Sequence, residues 1–118
     1  MPRAIELKND PSKWQGIFIK EYILKSIRNF FNKRGYHELE SPILAPSLPQ
    51  ERYLNVLSTK IGEQEIYLIP STERYNKLAL CAGLGNHYVI SKVFRGMEEL
   101  SNNHAPEFTM LEWYELDH

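Results

Sequence analysis

The chain has 118 residues, with 14 Lys or Arg and 15 Asp or Glu, so its formal net charge is -1 at pH 7. Its 42% of hydrophobic and 12% of aromatic residues are typical of one small folded domain rather than of a disordered segment. No run approaches the roughly 20 apolar residues that span a bilayer, the start lacks a secretory signal, and a single cysteine excludes an internal disulfide. We therefore expect a cytoplasmic protein with no membrane partner.

The first predicted element is an amphipathic helix over residues 13–34. Apolar residues recur at helical spacing between Ile19 and Phe31. Ser12, with a glutamine three places on, has the form of a capping box, and Gly35 suits the left-handed turn that ends many helices.

Strand patterns follow this helix. Residues 36–41 predict a short strand, and the next segment should lie at a sheet edge or an interface, because it contains Pro42, Pro46 and Pro49. Residues 52–60 and 65–69 then predict a hairpin around a glycine-containing turn.

A second helix over residues 72–82, capped by Ser71, precedes two long strands over residues 87–95 and 107–115. A polar connection of 11 residues joins these strands, so we expect them to pair as an antiparallel hairpin. The fold class predicted is α+β, an antiparallel sheet with flanking helices.

The last strand has an unusual face. Side chains alternate across a strand, so Phe108, Glu112 and Tyr114 lie on the same side. A buried unpaired carboxylate is costly, and these groups together suit a cationic or amine-bearing ligand. The alternative is that Glu112 points to solvent or pairs with a lysine.

The predicted hairpin also gathers Arg95, His104 and Phe108 at one end of the sheet. A guanidinium matches phosphate oxygens and an aromatic ring stacks on a base, so the combination indicates a nucleotide site. Singly, each residue is more often an ion-pair partner, a loop residue or a core residue. The histidines and Cys81 lack metal-ligand spacing, which predicts no metal site, and Cys81 is expected to be an inert core thiol.

The run from Phe94-Arg95 through His104 to Pro106–Tyr114 resembles the second signature motif of class II aminoacyl-tRNA synthetases. Its ending is most similar to the lysine branch, which comprises lysyl-tRNA synthetase and the related lysyltransferase that modifies elongation factor P. Residues 30–44 resemble the first motif, at the dimer interface of the family. Residues 69–75 resemble the segment that carries a substrate-binding glutamate. The likeness covers about residues 14–116.

The resemblance implies a role for each matching residue. The ATP-binding residues would be Arg95, which also carries the catalysis, together with His104 on the polyphosphate, Glu107 on the adenine edge and Phe108 beneath the base. The lysine-binding residues would be Glu112 and Tyr114 on the side-chain ammonium and Glu73 on the α-amino group.

The implied reaction is ATP-dependent activation of lysine to lysyl-adenylate, with Mg²⁺. Transfer would follow to tRNA or, alternatively, to elongation factor P. The implied assembly is a homodimer formed through residues 14–46.

The chain departs from the family pattern in places. Gly96-Met97-Glu98 stands where Asn-Glu usually follows the arginine, and Asn103 stands where an Arg or His is common. The third motif is absent, so residues 1–118 are expected to be the N-terminal part of a catalytic domain. A truncated, non-catalytic binding or regulatory module is the alternative.

Overall fold

A computed structural model describes residues 8–10, 12–47, 55–96 and 105–116. The chain divides into two compact units, Met1–Gly35 and Tyr36–His118. Within the described ranges, no helix is long and apolar enough to cross a membrane.

The first unit contains helix α1, Lys13–Lys33, which confirms the predicted helix to within one residue. The predicted capping box is wrong, because the Ser12 side chain makes no cap hydrogen bond to the helix. The hydroxyl and backbone N–H of Ser12 instead donate to the carboxylate of Asp10. Gly35 has a φ of 77° just after the helix, as a C-terminal glycine should.

Helix α1 leaves most of its apolar side chains exposed. Phe31 is its one buried residue among those described, whereas Phe18 is 60% and Tyr22 71% exposed. Near the helix end, the guanidinium of Arg34 lies 3.5 Å from the ring centroid of Phe30. Large apolar side chains such as these are more often buried, so their exposure on α1 is an unusual feature of the first unit.

The second unit forms two three-stranded sheets and one described helix. In chain order the strands are β1 (His37–Glu38), β2 (Leu44–Ala45), β3 (Ser58–Ile61), β4 (Gln64–Leu68), β5 (His87–Phe94) and β6 (Glu107–Tyr114), with helix α2 (Glu73–Cys81) between β4 and β5. The sheet orders are β1-β5-β6 and β2-β4-β3. This is the α+β architecture that the sequence predicts.

Strands β5 and β6 pair in antiparallel fashion along their full length, as predicted. Val93 lies opposite Phe108, Val89 opposite Glu112 and His87 opposite Tyr114. Strand β1 adds a short parallel pair to β5, which is shorter than the strand predicted over residues 36–41.

The second sheet contains the predicted hairpin of β3 and β4, which turns at Gly62 with a φ of 64°. Strand β3 begins at Ser58, later than predicted, and residues 51–54 lie outside the described ranges. Among the described strands, β2 pairs with β4 alone, so the part of the predicted segment that contains Pro42 and Pro46 lies at a sheet edge as expected, while Pro49 lies outside the described residues.

The two sheets meet at a small core. The backbone N–H of Phe94 donates to the carbonyl of Ile69 at 2.8 Å. Ala45, Ile69 and Val93 form the buried cluster, and Phe108 packs against it. One face of the β5–β6 pair is thereby held against the segment that enters α2.

Helix α2 begins one residue later than predicted, after Thr72 rather than Ser71 as N-cap. After α2 ends, the chain turns at Gly83, which has a φ of 92°. Cys81 is exposed, so the expectation of a core thiol is wrong. The last turn of this short helix lies at the surface, which helical periodicity alone does not determine.

Candidate functional site

Arg95 and Phe108 lie together at one end of the β5–β6 pair. The backbone N–H of Arg95 donates to the carbonyl of Pro106 at 2.9 Å, which brings the start of β6 beside the arginine. Its guanidinium carbon lies 5.4 Å from the ring centroid of Phe108, and Nη2 is 3.4 Å from the carbonyl of Pro70. The Nε atom is buried and has no hydrogen-bond partner among the described residues. This end therefore presents a positive, planar group beside an aromatic ring.

Glu112 and Thr72 join the middle of β6 to the start of α2. The backbone N–H of Thr72 donates to Glu112 Oε2 at 2.6 Å, and the Thr72 hydroxyl donates to the same oxygen. Thr72 is 1% exposed, so these bonds are screened from water. A carboxylate is favoured at a helix N-terminus, where backbone N–H groups lack partners within the helix. Glu112 thus accepts a hydrogen bond from the backbone N–H of the N-cap residue Thr72 at the start of α2.

Tyr114 lies two residues beyond Glu112 on the same face of β6. Its ring stacks on the ring of His87, with centroids 5.8 Å apart and planes inclined by 8°. His87 is fully buried, and its Nδ1 is 2.9 Å from the carbonyl of Gly85. Burial raises the pKa of the Tyr114 phenol, and the negative charges of Glu112 and Glu73 raise that pKa further. Two carboxylates therefore lie near one phenol.

The raised pKa of Tyr114 gives a testable titration. The neutral phenol contributes stability that is complete below the ordinary pKa of 10.0 and is lost as the pH rises through the raised value. We expect Glu112→Gln to bring the Tyr114 pKa partway back, because it removes one charge and leaves the burial. Carbon NMR of ring-labelled tyrosine would follow the titration. The control Glu63→Gln, in the exposed hairpin turn, should leave it unchanged, and an equal shift in both variants would contradict the assignment.

Glu73, in the first turn of α2, has an exposed ion-pair partner. Its Oε1 accepts a hydrogen bond from Lys77 Nζ at 2.6 Å, one helical turn along. Both side chains are largely solvent-accessible, so the pair contributes little to stability. The contact shows that the Glu73 carboxylate is within reach of a primary ammonium.

The structure thus brings together five of the residues singled out in the sequence: Arg95 and Phe108 at one end of the face, and Glu112, Tyr114 and Glu73 toward the other. Glu112 lies four residue steps beyond Phe108 along β6, which corresponds to about 13 Å. Glu107 is exposed, and strand alternation places it on the opposite face. His104, Glu98 and Asn103 lie outside the described residues.

Two residues of the site do not follow from the sequence pattern. The pattern places Thr72 in the second helix and His87 in a strand, and it gives neither residue a role in the site. A hydroxyl residue beside a predicted helix start is a signal for capping, but its acceptor lies 40 residues away along the chain. The described residues contain no cluster of three or more His, Cys, Asp or Glu side chains that could hold a metal ion.

Comparison with models of protein families shows to which family the chain belongs. The model for class II tRNA synthetases of the D, K and N type matches residues 2–116. The chain belongs to this family. The class II resemblance inferred from the second motif is thereby confirmed.

Curated relatives of this class II synthetase chain carry one recurrent name. The chain is 45% identical over 98 residues to an elongation factor P–(R)-β-lysine ligase of Haemophilus influenzae (strain PittGG), and the match covers 78% of the chain and 30% of that relative. It is 40% identical over 106 residues to a ligase of the same name from Avibacterium paragallinarum, covering 85% of the chain and 33% of the relative. The chain spans about a third of the length of these relatives.

A solved structure agrees with the fold. The chain is similar to asparaginyl-tRNA synthetase from Pyrococcus horikoshii, crystallised with asparaginyl-adenylate, with a TM-score of 0.73 and 27% identity. The match covers 82% of this class II synthetase chain and 22% of the other protein. The names of these curated relatives belong to the lysine branch of the family, whereas the solved structure is that of an asparaginyl enzyme.

Proposed function

We propose that this chain binds ATP and a lysine-type amino acid on one face of the β5–β6 pair and contributes to formation of an aminoacyl-adenylate. The observation that carries the proposal is the pairing on that face of a guanidinium beside an aromatic ring with a carboxylate beside a phenol. Their separation of about 13 Å along β6 is suited to a nucleotide at one end and an amine at the other.

The nucleotide end would be formed by Arg95 and Phe108. The Arg95 guanidinium would bind the ATP α-phosphate and the substrate carboxylate, and Phe108 would stack beneath adenine. His104 and Glu107 are proposed from the family motif alone to contact the polyphosphate and the adenine edge. Strand alternation places the Glu107 side chain on the opposite face, so the geometry of the face does not support that contact. Mg²⁺ would accompany ATP, since it commonly binds through substrate phosphates and one or two carboxylates.

The amine end would be formed by Glu112, Tyr114 and Glu73. The partial burial of Glu112 and Tyr114 strengthens their attraction to a cation, and a neutral phenol can donate or accept a hydrogen bond. Glu112 and Tyr114 would receive the side-chain ammonium, and Glu73 the second amino group, in place of Lys77. This arrangement favours a substrate with two amino groups.

The proposed reaction needs no nucleophile from the protein. A carboxylate oxygen of the bound amino acid attacks the α-phosphorus, a new P–O bond forms, and the bond to pyrophosphate breaks. Arg95 would reduce the repulsion between the two anions and stabilise the charge that develops on phosphorus. Alignment of the two substrates on a rigid strand pair would supply much of the remaining acceleration.

The acceptor is proposed to be elongation factor P. The support is the name carried by the relatives from Haemophilus influenzae and Avibacterium paragallinarum. Transfer to tRNA, which the resemblance to class II synthetases also implies, is the competing outcome. Incubating chain, ATP and radiolabelled amino acid with each acceptor separates them, because label enters either protein or RNA.

Binding by the 118-residue chain is the direct test. Calorimetry should detect ATP and either lysine or (R)-β-lysine, whereas aspartate should not bind, since its side chain would face Glu112. Amino-acid-dependent exchange of pyrophosphate into ATP then reports adenylate formation. Binding of neither ATP nor the diamino acids would overturn the proposal and support the alternative of a non-catalytic module.

We also propose that the chain forms a homodimer through residues 14–46. The exposed apolar side chains of α1 support this, because water contact with large apolar groups is unfavourable. The exposed set comprises Trp14, Phe18, Ile19, Tyr22, Ile23 and Phe30 on α1, with Ile43 and Leu44 farther along.

A charge on this helix face should disrupt the dimer. Phe18→Asp is expected to weaken self-association by about tenfold or more, because it places a carboxylate in an apolar contact. Sedimentation velocity over a concentration series measures the effect. Lys20→Asp is the control, since two residues correspond to a rotation of about 200° around the helix. Equal weakening in both variants, or a monomeric wild type, would contradict the proposed interface.

A further inference from the structure

We infer that Thr72 is a positioning residue that holds Glu112 by one carboxylate oxygen and leaves the other for a cationic amine. The inference deepens the proposed function and rests on it. The family motif points to Glu112 itself but to no partner for it. The structure adds a buried threonine whose two donors converge on a single oxygen of that carboxylate.

The geometry distinguishes the two oxygens of Glu112. Oε2 accepts from both the backbone N–H and the hydroxyl of Thr72, whereas no described residue donates to Oε1. A carboxylate can accept about four hydrogen bonds, so the group retains capacity for a ligand. Two bonds to one oxygen also fix the rotation of the carboxylate plane. Oε1 is therefore the oxygen open to an ammonium group.

The surroundings indicate which ligand this oxygen would take. Thr72 is 1% exposed, so water competes little for the Thr72–Glu112 bonds. Tyr114 lies on the same face and senses the charges of both Glu112 and Glu73. In the described part of the chain, Glu112 has no salt bridge to a lysine or arginine, although Glu73 has one to Lys77. A primary ammonium from a substrate would supply the missing positive charge.

The same contact links the two halves of the amine end. Thr72 is the N-cap of α2 and directly precedes Glu73. The bonds to Glu112 therefore fix the start of the helix that carries the second carboxylate. The spacing between the two carboxylates would then depend on Thr72, which makes it a determinant of amine selectivity.

The test compares variants of the 118-residue chain. Thr72→Val removes the hydroxyl and keeps the branched shape and the backbone N–H, whereas Thr72→Ser keeps the hydroxyl. We expect Thr72→Val to weaken binding of the better ligand of lysine and (R)-β-lysine by about tenfold, the loss typical of a hydrogen bond to a charged group. Thr72→Ser should stay within about twofold of wild type. Thr59→Val, on an exposed strand, is the matched control and should have no effect.

Three further readouts separate positioning from a general structural role. ATP affinity should be unchanged in Thr72→Val, because Arg95 and Phe108 lie at the other end of the face. Affinity for norleucine, which lacks the side-chain ammonium, should also be unchanged, because the retained Thr72 N–H still holds the start of α2 and leaves Glu73 in place for the α-amino group. Discrimination between lysine and norleucine therefore falls about tenfold. The thermal midpoint is recorded for each variant to confirm that it is folded at the assay temperature.

Each outcome is decisive. Loss of lysine discrimination in Thr72→Val with rescue by Thr72→Ser would support the inference. Equal weakening of ATP, lysine and norleucine, or no change in any of them, would overturn it while the proposed function stands. Failure of the wild type to bind either diamino acid would reject the proposed function, and the role of Thr72 would fall with it.

Discussion

Arg95→Ala is expected to lower the affinity of the chain for ATP by about 10- to 100-fold. Hydrogen bonds to charged groups contribute about 1.5–3 kcal/mol, and the Arg95 guanidinium lies beside the Phe108 ring. Because Nε is buried without a partner there, a phosphate oxygen would satisfy a donor that is already desolvated. Calorimetric titration with ATP measures the change.

Two variants define the origin of the Arg95 effect. Arg95→Lys keeps the charge but loses the planar fork, so we expect an intermediate affinity. Arg74→Ala removes an exposed guanidinium that donates to the hydroxyl of Ser47 at 2.8 Å, and should leave ATP affinity unchanged. If Arg74→Ala weakens ATP binding as much as Arg95→Ala, the effect is one of net charge and the assigned role is wrong.

Tyr88→Ala is expected to lower the free energy of unfolding by about 3–5 kcal/mol. Tyr88 is fully buried in β5, and truncation of a large buried aromatic leaves a cavity that its neighbours fill only partly. Domains of this size are stabilised by about 5–15 kcal/mol in total, so the loss is a large fraction. Urea unfolding followed by circular dichroism measures the change.

Tyr88→Phe separates packing from hydrogen bonding at the same position. The Tyr88 hydroxyl donates to Glu38 Oε1 at 2.9 Å, which links β5 to its parallel neighbour β1. Loss of this bond alone should cost about 0.5–1.5 kcal/mol. An alanine variant no less stable than the phenylalanine variant would show that the ring contributes little packing energy.

The long strands were the most predictable part of the fold. Residues 87–95 and 107–115 are rich in β-branched and aromatic side chains, and β5 and β6 occupy nearly the same ranges. The two-residue strands β1 and β2 were less predictable, because so short a segment is defined by its partner rather than by its own pattern. The boundary of α2 shifted by one residue for a related reason, since its first turn is fixed by a side chain on β6.

The site was predictable to the extent that strand alternation determines it. Placing Phe108, Glu112 and Tyr114 on one face required only the period of a β-strand. Bringing Arg95 beside Phe108 required one further assumption, an antiparallel hairpin, which the structure confirms. Neither step identified Thr72 or His87, because both act through contacts with residues far away along the chain.

The amino-acid sequence alone determined the two helices, the central strand pair and which side chains share its face, because these follow from local periodicity. Only the tertiary structure decided that Glu112 binds Thr72 at the start of α2, that His87 lies stacked on Tyr114, and that Cys81 lies at the surface. Those features depend on how separate elements pack. The Glu112 carboxylate can accept hydrogen bonds from Thr72 only when the start of α2 packs against β6.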